Sequence, residues 1–160
     1  MASPEQSMHQ VAQLFGDDLA VGFAFSGEAT TLSSEHFSGF STLTGDKHPI
    51  HYDAAFAAKT RFGRPVAHGL LLTALTALGA TSLSAAIEEA MVALLEQQMH
   101  FLRPAFVGDV ITPRFEVISN KSASGHRAVI ELAVTLLNQD GERIIEGRHV
   151  YLLRRKPGAR

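Results

Sequence analysis

The chain has 160 residues, a length that predicts one domain over residues 1–160, burying roughly two thirds of its unfolded surface. Hydrophobic residues make up 46%, charged residues 19%, and the net charge is -2. This composition is globular and argues against nucleic acid as a partner, since phosphate backbones need clustered Lys and Arg. Because there is no cysteine, disulfides, thiolate nucleophiles and cysteine-based metal centres are excluded.

The ends of the chain and its apolar runs bear on location. The first 20 residues lack the apolar core of a signal peptide, and no apolar run approaches the length of about 18 residues that spans a bilayer. We therefore expect a cytoplasmic protein without a membrane partner. The basic run Arg154-Arg155-Lys156, beside Pro157 and Gly158, predicts a flexible, solubilising tail at about 154–160.

The first third of the chain predicts two helices and a strand. Ser3, Pro4 and Gln6 form a helix-start pattern, and residues 21–31 are rich in the Phe, Val and Thr that favour strands. A helix is then predicted from Ser33 or Ser34 to Gly45, with Phe37, Phe40 and Leu43 on one face.

The middle of the chain predicts a short helix and a longer apolar one. Asp53 is placed to cap a helix over Ala54–Phe62 that ends at Gly63. The run LLLTALTALGA at 70–80 has almost no polar face, so as a helix it must be surrounded by protein on nearly every side.

The second half changes to the period of strands. Four are predicted: Met91–Leu102, Val110–Ser119, Arg127–Leu137 and Arg143–Leu153. In the third, Ile130, Leu132, Val134 and Leu136 alternate with less apolar residues, and a turn at 138–141 leads to the fourth. Helices followed by a strand meander predict an α+β fold whose antiparallel sheet can wrap the apolar helix.

The stretch TGDKHPIHYD at 44–53 concentrates candidate functional side chains. A loop turning at Pro49 could bring Asp46 and His51 to one water as an acid–base pair. Two other interpretations stay open at this point. Asp46, His48, His51 and His68 could bind a metal, although their spacing matches no common motif, or the aspartates could be helix caps with locally bonded histidines.

The stretch VAHG at 66–69 is a second candidate. Glycine at the start of a helix lets backbone amides approach a ligand, so the Gly69 N–H could polarise a carbonyl. Alternatively, Gly69 only permits the turn and His68 is an ordinary polar residue.

Together these segments resemble the MaoC-like, (R)-specific enoyl-CoA hydratase family of hot-dog-fold proteins. The resemblance rests on FSTLTGDKHPIH at 40–51, FGRPVAHG at 62–69 and FLRPAFVGDVI at 101–111. It implies an antiparallel sheet wrapped around a long central apolar helix, and a homodimer whose sheets join edge to edge. It also implies reversible syn hydration of trans-2-enoyl thioesters of CoA or an acyl carrier to (3R)-3-hydroxyacyl thioesters, a lyase reaction of fatty acid metabolism.

The family's catalytic pair falls on Asp46 and His51, and its backbone donor to the thioester carbonyl falls on Gly69. We also expect substrate contacts from His68 and from His48, which stands where the family usually has Asn. The resemblance implies neither a metal nor a cofactor, since CoA is part of the substrate. Arg61 and Arg64, and also Arg103, could contact phosphates of the carrier, or could simply be surface residues.

Two other functions remain as alternatives. One is a hot-dog acyl-CoA thioesterase, which would direct water at the thioester carbonyl. The other is a non-catalytic subunit that binds acyl thioesters. Retention of both Asp46 and His51 favours the hydratase.

Overall fold

A computed structural model describes residues 11–158 of the chain. Its elements in chain order are β1 (Ala24–Ser26), β2 (Thr30–Thr31), α1 (Ser34–Thr44), α2 (Ala54–Ala57), α3 (Gly69–Ala74), α4 (Ser82–Ala86), β3 (Met91–Phe101), β4 (Val110–Ala123), β5 (Arg127–Leu137) and β6 (Arg143–Arg154). The predicted helix start at Ser3 lies outside the described residues. None of the helices within 11–158 is long and apolar enough to cross a membrane.

The strands form one antiparallel sheet in the order β1-β4-β5-β6-β3, with β2 also paired to β4. The alternation predicted for β5 is confirmed, because Ile130, Leu132, Val134 and Leu136 are all buried against the helical side. The predicted turn between β5 and β6 is closed by the Gly141 N–H donating to the Asn138 carbonyl. The residues predicted as one strand at 21–31 instead form the two short strands β1 and β2.

Helix α1 begins and ends as predicted. Ser33 accepts a hydrogen bond from the His36 N–H, and Gly45 ends the helix with φ 76°, a conformation that glycine adopts without strain. Phe37 is buried, whereas Leu43 is 84% exposed, so the predicted common face is wrong at its last residue. A spacing of three residues falls short of a full helical turn at each step, which rotates Leu43 well away from Phe37.

The central apolar segment is interrupted, although it was predicted as one long helix. Helix α3 has six residues and is followed by a tight turn, a 3₁₀ turn at Leu78–Ala80 and α4. The Thr76 hydroxyl donates to the Thr73 carbonyl, and such side-chain bonds compete with a continuing helix. Leu71 and Leu72 are buried but Leu70 is 60% exposed, so one side of the segment is open in a single chain.

Two segments differ from expectation at their ends. Helix α2 is capped by Asp53 as predicted but stops at Ala57, well before Gly63. Arg155 and Lys156, predicted to lie in a free tail, are paired with Asp17 and Asp18. Opposite charges on the segment that precedes β1 therefore hold the first part of the predicted tail against the sheet.

Candidate functional site

Asp46 is held by the backbone of its own loop. Gly45 reverses the chain at the end of α1, and the Ser41 hydroxyl donates to the Asp46 carbonyl at 2.6 Å. The Asp46 carboxylate accepts the His48 N–H through Oδ1 at 2.8 Å. This local bond leaves Oδ2 available for a partner from elsewhere in the chain.

That partner is His68, 22 residues away. Its Nε2 lies 2.7 Å from Asp46 Oδ2. His68 Nδ1 accepts the Leu70 N–H at 3.1 Å and so caps α3. Because Nδ1 is the acceptor, neutral His68 carries its proton on Nε2 and donates to the carboxylate. Both ring nitrogens thus have partners within the chain, and the direct contact of His68 with substrate stays a prediction.

These contacts keep Asp46 ionised. The pKa of its carboxyl is lowered from the ordinary value, first by the hydrogen bond from the His48 N–H and next by the one from His68. Desolvation acts in the opposite direction but is smaller. At neutral pH, Asp46 is therefore a fixed negative charge and an acceptor of hydrogen bonds.

His51 presents the opposite tautomer. Its Nδ1 lies 2.7 Å from the Val66 carbonyl, which can only accept, so Nδ1 carries the proton and Nε2 keeps its lone pair. The Val66 N–H also donates to the Ile50 carbonyl, which ties the loop to the segment before α3. The rings of His51 and His68 lie 4.8 Å apart between centroids. The ring that bonds Asp46 therefore lies next to the ring with an unprotonated Nε2, tilted by 41° against it.

His48 caps the turn that directly follows it in the chain. Its Nδ1 accepts the Ile50 N–H at 3.3 Å and caps the 3₁₀ turn Pro49–His51. Asparagine caps turns in the same way through its side-chain oxygen. The structure thus offers a reason why His can stand at a position where the resembling family usually has Asn.

One cavity joins His51 to Gly69. It has a volume of about 340 Å³ and is lined by Ile50, His51, Arg61, Phe62, Val66, Ala67, Gly69, Leu72, Phe101, Leu102, Arg103 and Pro104. The Phe101 ring packs so closely on Gly69 that a Cβ there would lie 3.0 Å from the ring. Within residues 11–158, no group accepts a hydrogen bond from the Gly69 N–H.

The arginines separate into two environments. Arg61 and Arg103 line the cavity with His51, and Arg103 is also 3.5 Å from Glu142. Arg64 is not part of this lining, and its guanidinium stacks 4.0 Å from the centroid of the Phe106 ring. The structure therefore brings Arg61, rather than Arg64, to the site.

Sequence reasoning missed two contributors. The bond between His68 and Asp46 and the Phe101 wall against Gly69 both depend on the tertiary fold, which residue spacing does not reveal. The metal interpretation has no support from the arrangement, since no three His, Asp or Glu side chains in the described part of the chain are grouped to hold an ion.

Known proteins share both the sequence pattern and the fold. The model of the MaoC like domain family matches residues 20–138. An (R)-specific enoyl-CoA hydratase from Aeromonas caviae is 32% identical over 116 residues, covering 72% of this chain and 82% of that protein.

Solved structures are similar over most of the chain. An R-hydratase from Pseudomonas aeruginosa has a TM-score of 0.74 and 25% identity, covering 90% of this chain and 88% of that one. A Mycobacterium tuberculosis protein with a double hot-dog fold has a TM-score of 0.76 and 21% identity, over 92% of this chain and 46% of that one. The predicted α+β hot-dog fold is confirmed by these likenesses.

Proposed function

The chain belongs to the MaoC-like domain family, and from that premise we propose that it reversibly hydrates trans-2-enoyl thioesters to (3R)-3-hydroxyacyl thioesters. The observation that supports this most directly is that His51 and Gly69 line the same cavity. Within residues 11–158, His51 Nε2 has no hydrogen-bond donor and the Gly69 N–H has no acceptor. A hydratase needs a base for water and a donor for the thioester oxygen on the same site.

In the proposed mechanism, His51 carries the proton. As the water oxygen bonds to C3, His51 Nε2 accepts a proton from that water, and the electrons of the C2–C3 double bond move toward the thioester oxygen. His51 then returns the proton to C2. Because one group serves both carbons from one side, hydroxyl and proton add to the same face.

Asp46 and Gly69 stabilise the charges that develop. The ionised Asp46 carboxylate orients the water and favours the imidazolium that forms on His51. The Gly69 N–H donates to the enolate oxygen, because a fixed donor aimed at the developing charge stabilises it without reorganisation. Helix α3 has only six residues, so its dipole adds little and the N–H itself is the main donor.

The test is loss of the enoyl-thioester absorbance on mixing the protein with crotonyl-CoA. Fast loss that yields (3R)-3-hydroxybutyryl-CoA, without release of free thiol, would support the proposal. Thiol release in place of hydration would indicate a thioesterase. Binding of crotonyl-CoA with neither reaction would indicate a non-catalytic subunit.

We also propose that Arg61 contacts phosphates of the carrier. Arg61→Ala should raise KM for crotonyl-CoA about three- to tenfold with little change in kcat. The reason is that Arg61 would bind the CoA phosphates equally well in the ground state and in the transition state. Arg64→Ala is the matched control and should change little, since its guanidinium lies on Phe106. Equal effects of Arg61→Ala on full CoA and short pantetheine thioesters would contradict the assignment.

We further propose a homodimer formed along β3. Among the described strands β3 pairs only with β6, which leaves a long edge whose Val92, Leu94 and Leu95 are exposed. Long apolar edges of this kind pair readily with a second strand. Sedimentation at micromolar concentration should show a dimer, and a stable monomer there would be incompatible with this pairing.

A further inference from the structure

A second, larger cavity begins beside the candidate active site. It has a volume of about 1180 Å³ and lies between the α3–α4 segment and strands β3 and β6. Its lining is mostly apolar, including Leu70, Ala74, Ala77, Leu78, Ile87 and Leu94. Leu70 directly follows Gly69, and the Thr73 hydroxyl donates to the Gly69 carbonyl. The two cavities therefore flank the same first turn of α3.

One wall of this apolar cavity is polar. His149 is 1% exposed, and its Nε2 lies 2.8 Å from Gln97 Nε2. His149 Nδ1 lies 3.3 Å from the Tyr151 hydroxyl. Gln97, His149 and Tyr151 all line the cavity, and we call them the polar wall. Polar groups placed against an apolar space are costly unless each finds a partner.

The hydrogen bonds of the polar wall leave groups unused. The Gln97 amide nitrogen can only donate, so His149 Nε2 accepts and His149 Nδ1 donates to the Tyr151 oxygen. Burial lowers the pKa of His149 to about 4 and raises that of Tyr151 to about 12, so both are neutral at pH 7. The Tyr151 hydroxyl proton is then free to donate. Within residues 11–158 the Gln97 side-chain oxygen also accepts no hydrogen bond, and because Gln97 is exposed this oxygen is open to solvent.

The distance to the polar wall suits an acyl chain. His149 Nε2 lies 3.4 Å from the Thr76 hydroxyl, seven residues beyond Gly69. Helix α3 rises roughly 7.5 Å along its axis from Gly69 to Ala74, and the turn that follows leads to Thr76. A thioester whose carbonyl meets the Gly69 N–H would reach the polar wall with the far part of a medium-length chain.

We propose that the preferred substrates are enoyl thioesters whose acyl chain carries a hydroxyl or carbonyl oxygen far from the thioester, bound by Tyr151 and Gln97. This inference rests on the proposed hydratase function. The apolar lining accommodates the methylenes, and the polar wall supplies one donor and one acceptor for the oxygen. A site built to bond an oxygen discriminates against the analogue that lacks it, since the proton of the buried Tyr151 hydroxyl then has no acceptor.

The experiment compares chains that differ only in the terminal oxygen. The pairs are trans-2-octenoyl-CoA with its 8-hydroxy derivative, and trans-2-hexenoyl-CoA with its 6-hydroxy derivative. In at least one pair, wild type should show about tenfold higher kcat/KM for the hydroxylated chain than for the plain chain. That ratio corresponds to one buried hydrogen bond. Equal or lower kcat/KM for both hydroxylated chains would overturn the proposal.

Two variants test where the preference originates. Tyr151→Phe removes one oxygen and should abolish the preference, so that the hydroxylated and plain chains have equal kcat/KM in this variant. Tyr52→Phe is the matched control. Among the described residues the Tyr52 hydroxyl is buried without a partner, and it is not part of the polar wall, so the preference should persist. If a second copy of the chain fills the cavity instead, Tyr151→Phe will weaken dimerisation and leave the preference unchanged, which overturns the proposal.

A binding measurement separates this inference from the hydratase proposal. Calorimetry with saturated octanoyl-CoA and 8-hydroxyoctanoyl-CoA requires no catalysis. Tighter binding of the hydroxylated chain, lost in Tyr151→Phe, would support the polar wall even if no thioester were hydrated. Equal binding of the two, together with fast hydration of crotonyl-CoA, would retain the hydratase and reject the polar wall as a determinant of substrate.

Discussion

Asp46→Asn and His51→Gln are each expected to lower kcat/KM for crotonyl-CoA hydration by about a thousandfold. Asn keeps the shape of Asp46 but removes the charge that favours the protonated His51. Gln removes the lone pair that accepts the proton from water, and losses of this size are typical of general acid–base groups. Initial rates of absorbance loss with purified variants would measure the effect.

Asp53→Asn is the matched control for the charge. Asp53 lies in the same ten-residue stretch and caps α2 by accepting the Phe56 N–H at 3.0 Å. Asn caps a helix about as well as Asp, so hydration should stay within about twofold of wild type. If Asp46→Asn kept a tenth of wild-type activity or more, the ionised carboxylate would not have the role proposed for it.

The double variant adds a second criterion. When two residues act as one unit, removing both costs little more than removing one. We therefore expect the double variant to be about as slow as the slower single variant. If the double variant instead lost activity by the product of the two single-variant factors, Asp46 and His51 would act in separate steps.

The parts of the fold that sequence predicted well depend on local interactions. The bounds of α1 follow from Ser33 and Gly45, which act on the backbone within one turn. The period of two in β5 reports directly which side chains enter the core. The apolar run after Gly69 was wrongly predicted as one helix because composition records hydrophobicity and not where a helix ends. The Thr76 and Thr81 hydroxyls bond the Thr73 and Leu78 carbonyls in the turns that interrupt it.

The candidate site shows the same division. A loop turning at Pro49 is readable from sequence, and so is a capping role for Asp53. The tautomers of His51 and His68 are not, because they depend on the Val66 carbonyl and the Leu70 N–H that the folded chain presents to them. These backbone partners are what make one histidine a base and the other a donor.

His68 offers the second large expected effect, since its two nitrogens perform separable tasks. Asn at position 68 can reproduce the cap on the Leu70 N–H made by Nδ1, but it is too short to reach Asp46. Gln can reproduce the donor at Nε2 but not the cap. The two variants therefore divide the contacts that His68 makes at 3.1 Å and 2.7 Å.

His68→Asn should lower kcat about 10- to 100-fold with KM nearly constant, because an unanchored Asp46 positions water poorly. His68→Gln should retain most of the activity and instead lose about 1 kcal/mol of unfolding free energy, the usual cost of a missing cap.

The carboxyl carbon of Asp46, followed by NMR, should titrate at higher pH in His68→Asn than in wild type. The shift will be partial, since the His48 N–H, the largest cause of the lowered pKa, remains in place. Because the folded-state pKa is depressed, the stabilising effect of the contact is present above the ordinary aspartate pKa and is lost as pH falls through the folded-state value. Loss of activity in His68→Gln with an unchanged Asp46 titration would show instead that His68 acts through α3 and not through the carboxylate.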